Sequence, residues 1–329
     1  MSSDGRRPPY FLGIDLGGTN IKCGVVDDSG TALTSIRIAT EADRGPEFGI
    51  ERLAEAAHMA VDAGNLGWDD VAAVGLGSPG TMDLSRGMLL EPSNLPGWDH
   101  FPLRDRLAER LGKRTFLQND ANAAALGEHW VGAGRQSTSL ILFTLGTGIG
   151  CGIIHEGRIV DGRHSHGGEC GHMIIQADDG RLCSCGRTGH LEAYASATSL
   201  VKRAAEALAE DDAPSLLREL APEDLTSQAI DRAWREGDAL ASTLMRETAR
   251  YLAVGAVSVM HTIDPDLILF GGGMIGSGRP FLDEIRSQIH SMTFAMLARA
   301  IRVEFAALGG DAGFIGAAGY ARGALVGPH

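Results

Sequence analysis

Basic charge is what this chain lacks most. Its formal net charge is −13, whereas a nucleic-acid reader needs basic patches to meet phosphate. The local basic pairs, Arg6-Arg7 and Lys113-Arg114, are short enough to be ordinary solvated surface, so no nucleic-acid partner is expected. Long apolar runs are missing too. The richest stretch, residues 253–270, is interrupted by His261, Asp264 and Asp266, and nothing reaches the ~18 uninterrupted apolar residues of a membrane span. The opening residues, 1–10, are polar and carry no apolar core of a signal peptide. No Walker A pattern occurs, because the only Gly-Lys pair, Gly112-Lys113, is followed by Arg114 instead of Ser or Thr. A protein-kinase catalytic loop is absent as well. Cysteines are few and odd in number, five in all, which fits a reducing cytoplasm better than a secreted disulfide framework. Cys23 and Cys151 lie in apolar, strand-like runs and read as buried inert thiols.

What is present points to two lobes. A chain of 329 residues with 44% apolar content buries a sizeable core and exceeds one ordinary compact domain. Glycine, 45 residues, clusters at the ends of strand-like runs, where backbone must approach a ligand closely or take a positive φ. The spacing predicts strands over 10–15 and 21–26 joined by Gly17-Gly18, a helix over 47–63, and a strand over 71–76 that empties into Gly77. A helix over 103–111, a strand over 115–117 and an Ala-rich helix over 121–130 follow. The second half repeats the theme: strands over 139–145 and 151–155 around a Gly-rich turn, and an almost wholly helical stretch over 192–261. Strands over 267–270 and 301–305 flank a helix over 280–289, and a last helix runs over 314–325. This doubled plan predicts two α/β domains of similar architecture with a cleft between them.

Three glycine clusters and one polar knot carry the chemistry. Asp15, Gly17, Gly18, Thr19, Asn20 and Lys22 form a glycine hairpin whose exposed N–H groups and hydroxyl make an anion nest, with Asp15 placed to hold Mg²⁺ directly or through water. The competing reading is a plain type I′ hairpin, which also favours Gly-Gly. Thr144, Gly146, Thr147 and Gly148 supply a second such hairpin, and the pair suggests a nucleoside triphosphate. Gly272 and Gly273, after a strand, are placed to line an adenosine pocket. Between Glu169 and Glu192 the chain packs His172, Cys183, Cys185 and His190, the four N/S donors of a closed tetrahedral Zn²⁺ site. A disulfide loop or Cys-x-Cys redox pair competes with that reading, but such a ring is strained.

In order and spacing these motifs resemble the ROK family of sugar kinases (repressor, open reading frame, kinase), within the larger group that shares the actin, hexokinase and Hsp70 ATPase fold. The similarity spans nearly the whole chain. Residues 12–22 resemble its first phosphate motif, 144–152 the second and 267–273 the adenosine-side motif. The run from Gly168 to His172 with Cys183 to Gly189 resembles its metal signature. Asn94-Leu95-Pro96-Gly97-Trp98 and the run Asn119-Asp120-Ala121-Asn122-Ala123-Ala124 are typical of its glucokinase branch. One position departs: the family usually has a third cysteine where this chain has His190. The Zn²⁺ set is then His₂Cys₂, or else His190 points away and the knot holds no metal.

The resemblance implies two actin-like, ribonuclease H-like ATPase domains flanking an active-site cleft. The expected boundaries are residues 1–124 with 315–329 for a small domain and 125–314 for a large one carrying the zinc site. It implies transfer of the ATP γ-phosphoryl group to the 6-hydroxyl of glucose, with Mg²⁺ as the nucleotide's ion and zinc in a structural role. Asp120 is then the catalytic base, since a sugar hydroxyl is a poor nucleophile until a carboxylate accepts its proton; the plainer role for Asn119-Asp120 is to cap the helix that follows. Asn119, Glu169, His172 and Glu192 would hold sugar hydroxyls, with Gly77 and Asn94 on the opposite wall and His172 bonding metal and sugar through its two ring nitrogens. His164 and His166 read as loop-packing residues. The rivals are a kinase for N-acetylglucosamine, N-acetylmannosamine, mannose or fructose, a sugar-responsive repressor, and a catalytically dead sensor. About ten residues precede the first expected strand, too few for a DNA reader, and Asp120 and the loop threonines are all retained. A homo-oligomer, dimer or tetramer, is implied, and the alanines and methionines of residues 192–261 are expected on its surface.

Overall fold

A computed structural model describes residues 9–92 and 94–326. The expectations for the polar residues 1–8, Arg6-Arg7 among them, lie outside that range. In chain order the elements are β1 (Tyr10–Leu16), β2 (Asn20–Val26), β3 (Ile36–Ala39), α1 (Pro46–Ala63), β4 (Val71–Ser78), β5 (Met82–Asp83), β6 (Met88–Leu89), α2 (Leu103–Leu111), β7 (Thr115–Asn119), α3 (Asp120–Trp130), β8 (Leu140–Leu145), β9 (Ile149–His155) and β10 (Arg158–Ile159). They continue with α4 (Glu192–Ala195), α5 (Ala197–Glu210), α6 (Ser227–Arg235), α7 (Ala239–Ile263), β11 (Leu267–Gly271), α8 (Gly278–Met292), α9 (Ala295–Ala300), β12 (Arg302–Phe305) and α10 (Ala312–Val326).

Two five-stranded sheets share one plan. The first has the order β3-β2-β1-β4-β7 and the second β10-β9-β8-β11-β12. In the first, β1 pairs antiparallel with β2 and parallel with β4, and β4 is parallel to β7; in the second, β8, β11 and β12 are parallel. The register of β1 follows from its alternation. Leu12, Ile14 and Leu16 are fully buried in a cluster with Leu53, Ala57 and Val61 of α1 and Leu107 of α2, while Phe11 joins Phe314 and Ala318 of α10 on the other face. A one-residue slip would drive all three aliphatic side chains into the face that α10 occupies, where no room is left for them. Gly13 and Gly75 let α10 lie directly on the sheet, because a Cβ at either would sit 1.8 Å from a backbone oxygen of that helix.

The chain groups into two compact units, one holding residues up to 136, 152–168 and those from 307 onward, the other 137–151 and 169–306. These bounds differ from the expected ones at 124 and 315. α3 stays with the first unit because its buried Glu128 accepts the N–H groups of Ala307 and Leu308, at 3.1 and 2.7 Å, just before α10. Several short elements, β3, β5, β6, β10 and α9, carry no periodicity that predicts them. The helical stretch from residue 192 corrects one expectation in part: Met245, Met260, Ala241, Ala249, Ala253 and Ala256 are core, each at most 1% exposed, while Ala205 and Ala209 are exposed. The core residues face the inside of a helix layer, so they are not the surface of an assembly. Lys113 belongs to no basic patch, its ammonium donating to the Val71 carbonyl. Among the described residues no helix is long and apolar enough to cross a membrane.

Candidate active site

In the first unit, the Gly17-Gly18 turn links β1 to β2 and closes with the Gly17 N–H on the Asn20 carbonyl at 2.9 Å. Neither glycine has a positive φ, so this is no type I′ turn. Gly18 is required by proximity: a Cβ there would lie 2.6 Å from the Asn94 carbonyl oxygen. The Asn94 to Trp98 run reaches this turn because Trp98 is fully buried and its Nε1 donates to the Ala42 carbonyl at 3.3 Å. Thr19 is exposed. Lys22, opposite Asp15 in the β1–β2 register, donates to the Gly310 carbonyl at 2.6 Å.

Asp15 is only partly exposed, and loss of hydration outweighs the attraction of Lys22, raising its carboxyl to about 6 from 3.8. The sign of the stability effect follows. A carboxyl whose folded pKa exceeds its unfolded value carries no penalty below about pH 4, and the penalty grows as pH rises through 6. Asp15→Asn should therefore stabilise the ligand-free protein at pH 8 by about 2–3 kcal/mol, with the gain gone at pH 4. Urea titrations at the two pH values check this, and a pH-independent difference would refute it.

Asn119 ends β7 and caps α3, its Oδ1 accepting the N–H groups of Ala121 and Asn122 at 2.9 and 3.2 Å. The cap is thus Asn119, and its amide nitrogen is the end left for a ligand. Asp120 is the first helical residue; one carboxylate oxygen accepts the Ala121 N–H at 2.8 Å. A Cβ on Gly77 would lie 3.5 Å from the Ala123 Cβ and 3.7 Å from the Asp120 Cα, so the buried Gly77 packs beside the start of α3. The fold brings Gly77, Asn119 and Asp120 together, with Asn94 against the glycine turn.

In the second unit, the β8–β9 turn carries Thr144, Gly146, Thr147 and Gly148, again without a positive φ. Sequence reasoning missed how Glu192 ties this turn to the knot. Its Oε2 accepts the Ile149 N–H at 3.0 Å, and its Oε1 accepts the Ser184 hydroxyl at 2.6 Å and the Cys183 thiol at 3.5 Å. Gly148 has no room for a side chain, since a Cβ would lie 2.3 Å from Glu192 Oε2. The only sequence hint was Ser184 between the two cysteines. Gly272, at φ 87, follows β11 and is exposed with Gly273.

The knot assembles as expected. The donor atoms of His172, Cys183, Cys185 and His190 all lie within 4.8 Å of one another. Cys183 Sγ is 3.8 Å from His172 Nδ1, and Cys185 Sγ is 3.2 Å from His190 Nδ1. A tetrahedral Zn²⁺ with Zn–N and Zn–S bonds of ~2.0–2.3 Å spaces its donors about 3.3–3.8 Å apart; the two Cys–His pairs lie at that spacing, and the chemistry of the four donors suits the ion. His190 points inward, and burial, with His172 beside it, lowers its pKa, keeping the neutral ring that a metal requires. All five cysteines are free thiols, which removes the disulfide reading. Burial pushes the Cys23 and Cys151 thiols up, as inert thiols require. Glu169 is exposed at the start of the short turn that holds His172. His164 and His166 are exposed in their loop, His166 bonded to the His164 carbonyl.

Known proteins match most of this chain. A glucokinase from Thermotoga maritima is 35% identical over 310 residues, covering 94% of this chain and 96% of that protein. A ROK family glucokinase from Streptomyces griseus, solved in complex with glucose and AMPPNP, is 35% identical with a TM-score of 0.81 over 95% of this chain and 99% of that one. A ROK hexokinase from Thermus thermophilus gives 34% identity and a TM-score of 0.80 over 96% and 99%. The ROK family model itself spans residues 11–324, nearly every residue from β1 to α10, and the chain belongs to the ROK family.

Proposed function

We propose that this chain is an ATP-dependent glucokinase, converting glucose to glucose 6-phosphate. The observation that carries the reading is Asp120, set at the first position of α3, beside Gly77 and next to the Asn119 cap. A carboxylate there can accept the 6-hydroxyl proton as the O6–Pγ bond forms and the bond from Pγ to the bridging oxygen breaks, leaving ADP. Solvent takes the proton from Asp120 after product release. Asn119, through its amide nitrogen, Asn94, Glu169, His172 and Glu192 are assigned to sugar hydroxyls. A site built from such groups rejects a sugar lacking the matching hydroxyl more strongly than an apolar pocket rejects a change of size.

The nucleotide phosphates are assigned to Gly17, Gly18, Thr19 and Asn20 and to Thr144, Gly146, Thr147 and Gly148, with Gly272 and Gly273 at the adenosine. Lys22 would exchange its Gly310 carbonyl for a phosphate. Mg²⁺, when bound, neutralises charge on the β- and γ-phosphate oxygens, and Asp15 is the residue to hold it, directly or through water. His172, Cys183, Cys185 and His190 would hold a structural Zn²⁺. His172 turns Nδ1 toward Cys183, which leaves Nε2 for the sugar. Thiolate ligands suit a reducing cytoplasm. For a dimer or tetramer, the exposed apolar side chains Ile174, Leu182, Phe294 and Met296 mark where association would be sought.

Two outcomes follow. A coupled assay across glucose, mannose, fructose, N-acetylglucosamine and N-acetylmannosamine should give the highest kcat/KM for glucose, and faster turnover of an acetamido sugar would overturn the substrate assignment. The purified protein should contain about one zinc per chain. Stripping it should lower the melting temperature and raise the glucose KM about tenfold, with a smaller effect on kcat. A protein that purifies without zinc, or a loss confined to kcat, would contradict the assignment.

A further inference from the structure

Directly behind the Asn119–Asp120 turn lies a cluster that the proposed chemistry leaves unused. Gln118, fully buried in β7, and Asn122, 3% exposed in the first turn of α3, both face Asp161 in the loop after β10. Gln118 Nε2 donates to Asp161 Oδ1 at 2.9 Å, and Asn122 Nδ2 donates to the same oxygen at 3.4 Å. Gln118 Oε1 accepts the backbone N–H of Asn119 at 2.7 Å and Asn122 Nδ2 at 3.3 Å. The loop holds Asp161 from its far side, the Gly167 N–H donating to the Asp161 carbonyl at 2.8 Å and the Ser165 hydroxyl accepting the Leu84 N–H at 3.1 Å. Tyr320 of α10 borders the group, and burial there, with the Asp161 carboxylate nearby, raises the pKa of its phenol.

The carboxylate sets the orientation of Asn122 and, together with the Asn119 N–H, that of Gln118. A carboxamide has nearly the same shape either way round, with an acceptor at one end and two donors at the other. An ionised carboxylate only accepts, so Gln118 and Asn122 must turn their nitrogens toward Asp161. The Gln118 oxygen is thereby left facing the Asn119 N–H. That bond holds the peptide entering Asn119, whose extended backbone (φ −64, ψ 145) sets the start of α3, and Asp120 is the next residue. Charge at 161 thus fixes an amide, the amide fixes a turn, and the turn presents Asp120. The arrangement matters because displacing a reacting group by ~1 Å can cost about a hundredfold in rate.

We propose that Asp161 is a positioning residue for phosphoryl transfer, acting through Gln118 and Asn122 on the turn that carries Asp120. The inference rests on the reading of Asp120 as the base.

The test is a cycle of D161N, Q118E and the double variant D161N/Q118E in the full-length protein. D161N is nearly isosteric, but the introduced amide no longer dictates which way Gln118 points. It should lower kcat about 10- to 100-fold, change the glucose KM less than threefold, and speed hydrogen exchange in the peptide spanning residues 116–122. Q118E alone sets two carboxylates against each other and should be impaired as well. In the double variant donor and acceptor trade places: the carboxylate at 118 accepts from the amide at 161 and still accepts the Asn119 N–H. Recovery of kcat and of slow exchange to within threefold of wild type supports the proposal. A D161N kcat within twofold of wild type overturns it, as does a double variant no better than the worse single. Failure of the base assignment is read separately, as retained turnover in Asp120→Ala; the exchange data then still report whether Asp161 governs the turn.

Discussion

Asp120→Ala should lower kcat by about 10²- to 10⁴-fold, the range general-base catalysis supplies, while glucose still binds within a few-fold of wild-type affinity. The two effects separate because of how the turn is built. Asn119, not Asp120, is the cap that accepts two N–H groups of α3, so truncating Asp120 removes its bond to Ala121 but leaves that cap in place. The helix start survives at a cost of about 0.5–2 kcal/mol. Stopped-flow or coupled kinetics against calorimetric glucose binding reads both quantities. Activity within tenfold of wild type would show that another group takes the proton, and lost sugar binding would make Asp120 a recognition residue first.

Glu128→Ala should be strongly destabilising although it lies outside the sheets and the apolar core. The side chain is fully buried in α3 and accepts three backbone N–H groups: Ala133 at 2.8 Å and Ala307 at 3.1 Å on Oε2, and Leu308 at 2.7 Å on Oε1. Alanine leaves all three donors without that acceptor; they are partly buried, so each costs up to ~1–3 kcal/mol, with water recovering some of it. A total loss of about 4 kcal/mol is expected, lowering the melting temperature by roughly 10 °C. Glu128→Gln is the informative partner. Its one oxygen can serve the Oε2 donors but turns an NH₂ toward the Leu308 N–H, so it should lose about half as much. Equal stability of the alanine variant and wild type in urea melts would mean that water or a backbone shift replaces the carboxylate.

The parts of this fold that were legible in the sequence depend on neighbours close along the chain. The β1–β2 hairpin follows from two apolar runs around Gly17-Gly18, α2 from its spacing, and the knot from four donors within nineteen residues of one another, His172 to His190. Both sheets were foreseeable as repeats of one strand–turn–strand unit. What stayed hidden depends on residues far apart. Gly18 is needed because of Asn94, Glu128 because of Leu308, and Gln118 because of Asp161; no local periodicity encodes such pairs. β5, β6 and β10 have two residues each, too few to alternate. Met245 and Met260 were misplaced on the surface because a helix rich in small residues looks alike whether it lines a core or an interface. Asn119 and Asp120 could both cap α3 on sequence grounds, and only backbone geometry shows which one does.

The proposed reaction is a single transfer, from ATP to the 6-oxygen of glucose. Incubating the purified protein with glucose and ATP labelled in the γ-phosphoryl group, then resolving the products by phosphorus and carbon NMR, tests it most directly. The predicted result is label in glucose 6-phosphate, one ADP released per sugar phosphorylated, and negligible ADP formation without sugar. Label on another oxygen, ATP hydrolysis that ignores glucose, or no product at all would contradict it.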